Sequence, residues 1–315
     1  MKKLALFPVA LLAASLHTYA QPTFMKMFQG GGTSQFDLFE LNSGNLFTGM
    51  AYSSGTSLMD PEGTIIHTAC YEVDTFLVLQ TILKRTDNEF YFGGAYYRDT
   101  CTDPIFGLTT NLHPALGRMD SLGNVLDIQH YILNTIRCTT GVLGHLGQTS
   151  NGDVLAWGRD ASLFAMRTDP TGAVVWAKSS ETLGGFQFIK ELPGGDLLAG
   201  MNVYPHGSLV ARLQANGEFI WCKSYFRPSG MIHDAVIQSD DSFIITGLTD
   251  STDVNVSEPF PKLFMMQLNG AGEVQWCKGY EAAPNPWYTP QTSKLARTAQ
   301  GADSTGWPEK VARTC

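Results

Sequence analysis

The chain carries seven histidines and six cysteines among 315 residues. These are the types that most often hold metals, move protons or act as nucleophiles. After His17 the histidines are His67, His113, His130, His145, His206 and His233. None falls in an H-x-H or H-E-x-x-H spacing, so no two are set on one face as metal ligands would be. No C-x-x-C occurs, no Cys/His cluster has zinc-ligand spacing, and the G-x-S-x-G nucleophile elbow is absent. Asp240-Asp241 and Asp250-Ser251-Thr252-Asp253 offer carboxylate oxygens of the kind calcium takes. No EF-hand-like ligand series follows either, so both read as solvated turns. The sequence therefore supplies no catalytic, cofactor-binding or metal-binding residue and calls for no cofactor. Residues distant in sequence can still converge on a site, which leaves catalysis open.

Trp176, Trp221 and Trp276 are the most regular reactive surface in the chain. Tryptophan is a common platform for sugars and aromatic ligands. Their identical place in a repeating pattern argues instead for packing between repeats. Cys222 and Cys277 each follow one of these tryptophans. Equivalent positions in successive repeats lie a repeat spacing apart, beyond the ~7 Å Cα separation a disulfide tolerates. They are read as unbonded to each other and as buried free thiols. Cys101 and Cys138 flank the long second repeat and are a candidate bridge.

The elements that position these residues are repeats of two alternating patterns. The first is a polar turn and an apolar strand ending in glycine. It runs Asn42-Ser43-Gly44-Asn45-Leu46-Phe47-Thr48-Gly49, then Thr86–Gly93, Ser150–Gly158, Pro193–Gly200 and Ser239–Gly247. Asp, Asn and Gly tolerate the positive φ of tight hairpins, and the aromatic and aliphatic run suits a strand buried on both faces. The second pattern is strand, turn, glycine and strand. Its turns are Met59–Gly63, Met119–Gly123, Thr168–Gly172, Leu213–Gly217 and Leu268–Gly272. In the last three, Trp follows four residues after Gly, and Lys178, Lys223 or Lys278 two residues later. This is read as Trp facing in and Lys facing out.

The turn glycines at 63, 123, 172, 217 and 272 are 60, 49, 45 and 55 residues apart. One unit is repeated, with insertions confined to loops. In one copy the unit divides into strands Phe186-Glu191, Asp196-Val203, Ser208-Gln214 and Glu218-Tyr225. Four short antiparallel strands per repeat predict an all-β fold, a β-propeller with five clear blades and a partial sixth. A β-solenoid is the nearest rival, but its coils are usually shorter.

Both ends are irregular. Met1-Lys2-Lys3, the apolar run Leu4 to Leu16 and small residues at Thr18 and Ala20 read as a signal peptide over residues 1–20, with Gln21 the first mature residue. That run is too short for a membrane span, and no other approaches the length of one. Repeats are expected over residues 21–300. Within them, Thr23–Phe28 resembles the Trp-x-Lys strand and Ser293–Thr298 the first strand of a sixth unit, so the two ends are expected to share a blade. Residues 301–315 break the pattern, and the expectation is a chain truncated or frame-disrupted relative to a longer parent.

Thr168-Asp169-Pro170-Thr171-Gly172-Ala173-Val174-Val175-Trp176 resembles the Asp-x-x-Thr-Gly-x-x-x-Trp turn of the quinoprotein-like propellers, whose Trp docks between blades. The whole unit, over about Phe24 to Thr298, is similar to repeats of secreted bacterial propeller proteins, many with a C-terminal sorting domain for type IX secretion. The resemblance implies secretion or surface display. It does not carry over quinoprotein chemistry, because the vicinal cysteine pair of those dehydrogenases is absent and fold alone does not license activity.

The net charge of −8 opposes polyanions and argues against nucleic acid as a partner. The function read from the sequence is a secreted or cell-surface binding, adhesion or scaffold module that takes a macromolecule or glycan through loops on one face. The insertions near Arg98–Leu116 and Thr249–Pro261 are the expected contact loops. The alternative is a hydrolase, lyase or quinoprotein-like oxidoreductase using the central channel.

Overall fold

A computed structural model describes residues 38–50, 55–71, 77–103, 107–131, 142–160, 163–180, 184–203, 207–226, 230–249, 262–280 and 312–314. The expectations for the signal peptide, for Thr23–Phe28, for Ser293–Thr298, for Cys138 and for Asp250–Asp253 lie outside them.

The described chain is all-β, without a helix, and forms five four-stranded antiparallel blades. Blade 1 is β1 (Leu38–Glu40), β2 (Leu46–Met50), β3 (Gly55–Met59) and β4 (Ile65–Cys70). Blade 2 is β5 (Leu77–Thr86), β6 (Glu89–Asp103), β7 (Gly107–Asp120) and β8 (Val125–His130). Blade 3 is β9 (Val142–Gln148), β10 (Val154–Asp160), β11 (Leu163–Thr168) and β12 (Val174–Ser180). Blade 4 is β13 (Gly184–Glu191), β14 (Leu197–Val203), β15 (Gly207–Leu213) and β16 (Phe219–Phe226). Blade 5 is β17 (Met231–Ile237), β18 (Phe243–Thr249), β19 (Lys262–Leu268) and β20 (Val274–Tyr280), with β21 (Ala312–Thr314) paired to the outer edge of β20. The five expected repeats are thus the five blades, and the strands read for the fourth repeat differ from the observed ones only at their ends.

Each blade grades from inside to outside. The first strands of successive blades adjoin one another, β5 with β9, β9 with β13 and β13 with β17. Second and third strands are buried on both faces, as in β10, β11 and β14, while fourth strands such as β12 are exposed. The core therefore lies in the seams. One cluster joins blades 3, 4 and 5 through residues such as Phe188, Leu198, Phe243 and Phe264, and others join blades 1 with 2 and 2 with 3. Phe47, Phe90, Phe92, Phe164, Phe243 and Phe264 are fully buried, each worth about 2–3 kcal/mol in surface removed from water.

Phenylalanine also explains the glycine within the second strand of blades 3, 4 and 5. A Cβ on Gly158 would lie 2.1 Å from the Phe164 ring, and one on Gly200 2.3 Å from the Phe188 ring. Gly247 meets Phe264 in the same way at 2.6 Å. The ring of an adjacent strand lies over a backbone that has no side chain.

Nine of the ten intrablade hairpins facing one side share one closure. A backbone N–H bonds the carbonyl four residues on, as from Asp169 to Ala173 (2.9 Å), and in eight of them Gly donates back to close the turn, as Gly172 does to Asp169 (2.9 Å). The turn glycines have φ between 73° and 91°, the left-handed geometry of a bulged hairpin. Asp241 takes this position in blade 5 at φ 65°, a region Asp tolerates. The exception is the two-residue Thr86–Glu89 turn of blade 2.

Candidate functional site: the seams and the projecting hairpin

The second-pattern turns are built to present carbonyls. Asp169 Oδ1 accepts from the Thr171 N–H (2.8 Å), the Thr171 hydroxyl (2.6 Å) and the Ala173 N–H (3.0 Å). The Thr171 hydroxyl is the largest cause holding this carboxyl below its ordinary range. Asp120 and Asn269 fold their turns in the same way. Because the side chain takes the turn's N–H groups, its carbonyls point outward unpaired.

The preceding blade reads those carbonyls. Trp221 Nε1 donates to Gly270 O (3.2 Å), Lys223 Nζ to Ala271 O (2.7 Å) and the Tyr225 hydroxyl to Gly272 O (2.5 Å). Outer-strand positions 0, +2 and +4 thus meet three successive turn carbonyls. The rule recurs in the other seams. Trp176 Nε1 reaches Ala215 O (2.9 Å), Gln129 Nε2 reaches Thr171 O (2.8 Å) and Tyr131 reaches Gly172 O (2.9 Å). In the first seam Tyr71 reaches Gly123 O at 2.7 Å.

An arginine on the third strand joins the same target. Arg167 binds Asp153 of its own blade (Nε to Oδ2, 2.7 Å) and Ala215 O of the next (3.1 Å). Arg212 pairs with Asp196 (2.9 Å), with Asp241 of the next blade (2.7 Å) and with Gly270 O (3.2 Å). The Arg167–Asp153 pair is nearly buried, with side chains 9% and 12% exposed.

These contacts confirm interblade packing for Trp176 and Trp221. Trp276 differs, since its indole N–H turns back to Gln267 Oε1 of its own blade. The Trp-in, Lys-out reading is corrected. Residues two apart on a strand share a face, and Lys223 Nζ lies 5.6 Å from the Trp221 ring centroid and Lys278 Nζ 5.8 Å from that of Trp276. The thiol reading is corrected in part. Cys222 is free but exposed, and Cys277 is disulfide-bonded. They are accordingly not bonded to each other. Asp240 is occupied by the Ser242 hydroxyl (2.6 Å) and N–H (3.1 Å), and Asp241 by Arg212. Among the described residues no group of three His, Cys, Asp or Glu gathers as a metal site.

The tight hairpins lie on one face, and the ends of the second and fourth strands lie on the other. On this second face blade 2 stands out. The segment Arg98–Leu116, expected as a loop, is instead the continuation of β6 and β7, paired from Glu89↔Asp120 to Asp103↔Gly107. These strands have 15 and 14 residues against 7 and 6 in blade 3. Thr100, Thr102, Thr109 and Thr110, β-branched residues of this stretch, were the available strand signal. At its base the Tyr96 ring packs on His113 (centroids 5.5 Å) and His130 (4.0 Å). Partial burial pushes the His130 imidazole below its ordinary value. Residues 250–261, the other expected contact loop, lie outside the described residues.

On the inner strands, Lys190 of β13 pairs with Asp234 of β17 (2.6 Å) and donates to Ala235 O. These two charged groups are thus used in joining blades 4 and 5. Asn202 clamps the same two blades by paired bonds to Ile232 (N–H to Oδ1 2.9 Å, Nδ2 to O 3.0 Å).

The fold is that of a β-propeller. It is similar to a protein of unknown function from Bacteroides caccae (12% identity, 77% of this chain and 80% of that one, TM-score 0.48). It is also similar to virginiamycin B lyase from Staphylococcus aureus (15% identity, 80% and 71%, TM-score 0.50) and the Neurospora crassa Pan2 WD40 domain (13% identity, 77% and 65%, TM-score 0.48). At these identities the likeness is one of fold alone. No known family and no curated protein matches the sequence.

Proposed function

We propose that this chain is an exported propeller acting as a binding or scaffold module, with a macromolecule or glycan as its partner. The observation that carries the reading is the projecting β6–β7 hairpin, whose strands of 15 and 14 residues are the longest of the five blades among the described residues. An ordered β-extension with an aromatic base offers contact surface at little cost in conformational entropy. The seams make no comparable offer, because their polar groups are consumed in holding blades together. The order of lysines, apolar run and small residues at the N-terminus supports export. The repeat resemblance favours the type IX route and surface display.

The test replaces Asp99–Thr110 with a short turn and screens both proteins against a glycan array and a panel of extracellular-matrix proteins. The reading expects a ligand of the parent chain that the shortened variant loses at unchanged melting temperature. Stabilisation of the parent by pyrroloquinoline quinone with calcium, and by no glycan or protein, would overturn it in favour of an oxidoreductase.

A further inference from the structure

Strand register sets equivalent positions side by side across the blades, and the seam between blades 2 and 3 departs from the pattern in three residues. The fourth-strand position that pairs with Arg167, Arg212 and Gln267 holds Trp176, Trp221 and Trp276, but its counterpart opposite Arg118 in blade 2 is Asp127. The third-strand position ahead of the tight turn is Thr168 in blade 3, where the other blades have Met59, Met119, Leu213 and Leu268. The second-strand position one residue beyond their partners is Tyr91 in blade 2, where the others have Phe47, Leu155, Leu198 and Ile244. A hydroxyl thus stands twice where every other blade is apolar, and a carboxylate stands where three blades place an indole.

The three departures meet in one place. Tyr91, Asp127 and Thr168 line a single cavity in the seam, beside Arg118 and the Asp169–Gly172 turn. Aspartate is much smaller than an indole and leaves room there. Asp127 and Glu89 also hold Arg118 within its own blade. Among the described residues Pro170 O therefore receives neither the ring donor nor the arginine that Ala215 O and Gly270 O receive. Tyr91 is 3% exposed and Thr168 0%, yet neither hydroxyl has a hydrogen-bond partner among the described residues. A buried hydroxyl without a partner is costly, and two in one cavity call for an occupant that bonds them. Burial pushes the Tyr91 phenol above its ordinary range, so it keeps a proton to donate. The charges at the cavity are already paired, Arg118 with Asp127 and Glu89, so the occupant is neutral. The cavity volume is about 10 Å³, the size of a site for one water.

We propose that the seam between blades 2 and 3 is a binding site for one buried water molecule, hydrogen-bonded to the Tyr91 hydroxyl of one blade and the Thr168 hydroxyl of the next. The water joins these blades where Trp176 and Trp221 join the following ones by direct bonds.

High-resolution crystal structures of the parent chain and of the double variant Tyr91→Phe/Thr168→Val test it, with urea midpoints of both single variants and the double. The expected result is density for one water within hydrogen-bond reach of both hydroxyls in the parent, and none in the double variant. Each single variant strips one partner from a water that the other hydroxyl still holds, so each unfolds at lower urea than the parent. The double variant loses less than the sum of the two single losses, because the shared water is gone. A cavity without density, a direct Tyr91–Thr168 hydrogen bond, or an ion or buffer molecule in the site would each overturn the proposal. Single variants that unfold at higher urea than the parent would overturn it too, since that is the result for hydroxyls buried with no partner at all, and so would strictly additive losses. Thr168→Ser keeps the hydroxyl and is expected to keep the water. The parent density decides the question even where a variant fails to fold.

Discussion

Trp176 and Arg167, on adjacent strands of blade 3, donate to one acceptor, the carbonyl of Ala215 in blade 4, at 2.9 and 3.1 Å. Trp221 and Arg212 do the same to Gly270 O. A carbonyl has two lone pairs, so both donors are accommodated, and a seam is fixed by a hydrogen bond from a ring and one from a cation.

Arg167 is the more buried of these cations. Arg167→Met leaves Asp153 buried without its partner and is expected to destabilise by about 3 kcal/mol. Arg118→Met removes a pair whose arginine side chain is 34% exposed, and should cost under about 1 kcal/mol. Urea unfolding of the two variants checks the ranking.

The indole contribution can be divided. Trp176→Phe keeps a ring in the seam and loses the bond to Ala215 O, at an expected cost of about 1 kcal/mol. Trp176→Ala empties the seam and should cost about 3 kcal/mol or more. Equal losses for the two variants would show that the hydrogen bond, not the packing, holds the seam.

Glycines separate backbone strain from docking. Gly195 has φ 86° and open space where a methyl group would sit, whereas Gly272, at φ 73°, would place its Cβ 2.8 Å from the Trp221 ring. Gly195→Ala should cost about 1 kcal/mol, the penalty of the left-handed region. Gly272→Ala should cost about 2–3 kcal/mol, because the ring must also move. Thermal unfolding of the pair gives the comparison.

Tyr131 predicts the alkaline limit. Burial, with smaller contributions from Asp169 and Asp127, pushes its phenol up to about 12 from an ordinary value of 10.0. The folded state therefore keeps its proton longer than the unfolded chain. The resulting stability is fully present below pH 10 and is lost as pH rises from 10 towards about 12. Tyr131→Phe should flatten that part of the stability–pH curve, measured by denaturant midpoints in steps across the window.

Blade number and strand order were legible because turn chemistry and a two-sided apolar strand recur in every unit. The seam was only half legible. Trp176 and Trp221 stood out as rare residues, but Tyr71, Tyr131 and Tyr225, in the same register four residues beyond the tryptophan position, did not. Their acceptors are backbone carbonyls, which leave no mark in the sequence. Arg167 and Arg212 were hidden for the same reason. The β6–β7 extension was missed because its Thr, Tyr and Asp residues compose a strand and a loop about equally well, and only pairing between the two halves decides. The thiols were misjudged because period-2 alternation turns Cys222 away from the seam that its neighbour Trp221 fills.

Docking to main-chain carbonyls has a consequence for how such a protein can be altered. Each seam requires a turn of fixed shape and is nearly blind to the side chains within it. Asp-Pro-Thr-Gly, Gln-Ala-Asn-Gly and Asn-Gly-Ala-Gly all serve in this one chain. A blade copied, moved or exchanged during evolution arrives already compatible with its new neighbour, and the number of blades can change without a new interface having to be invented.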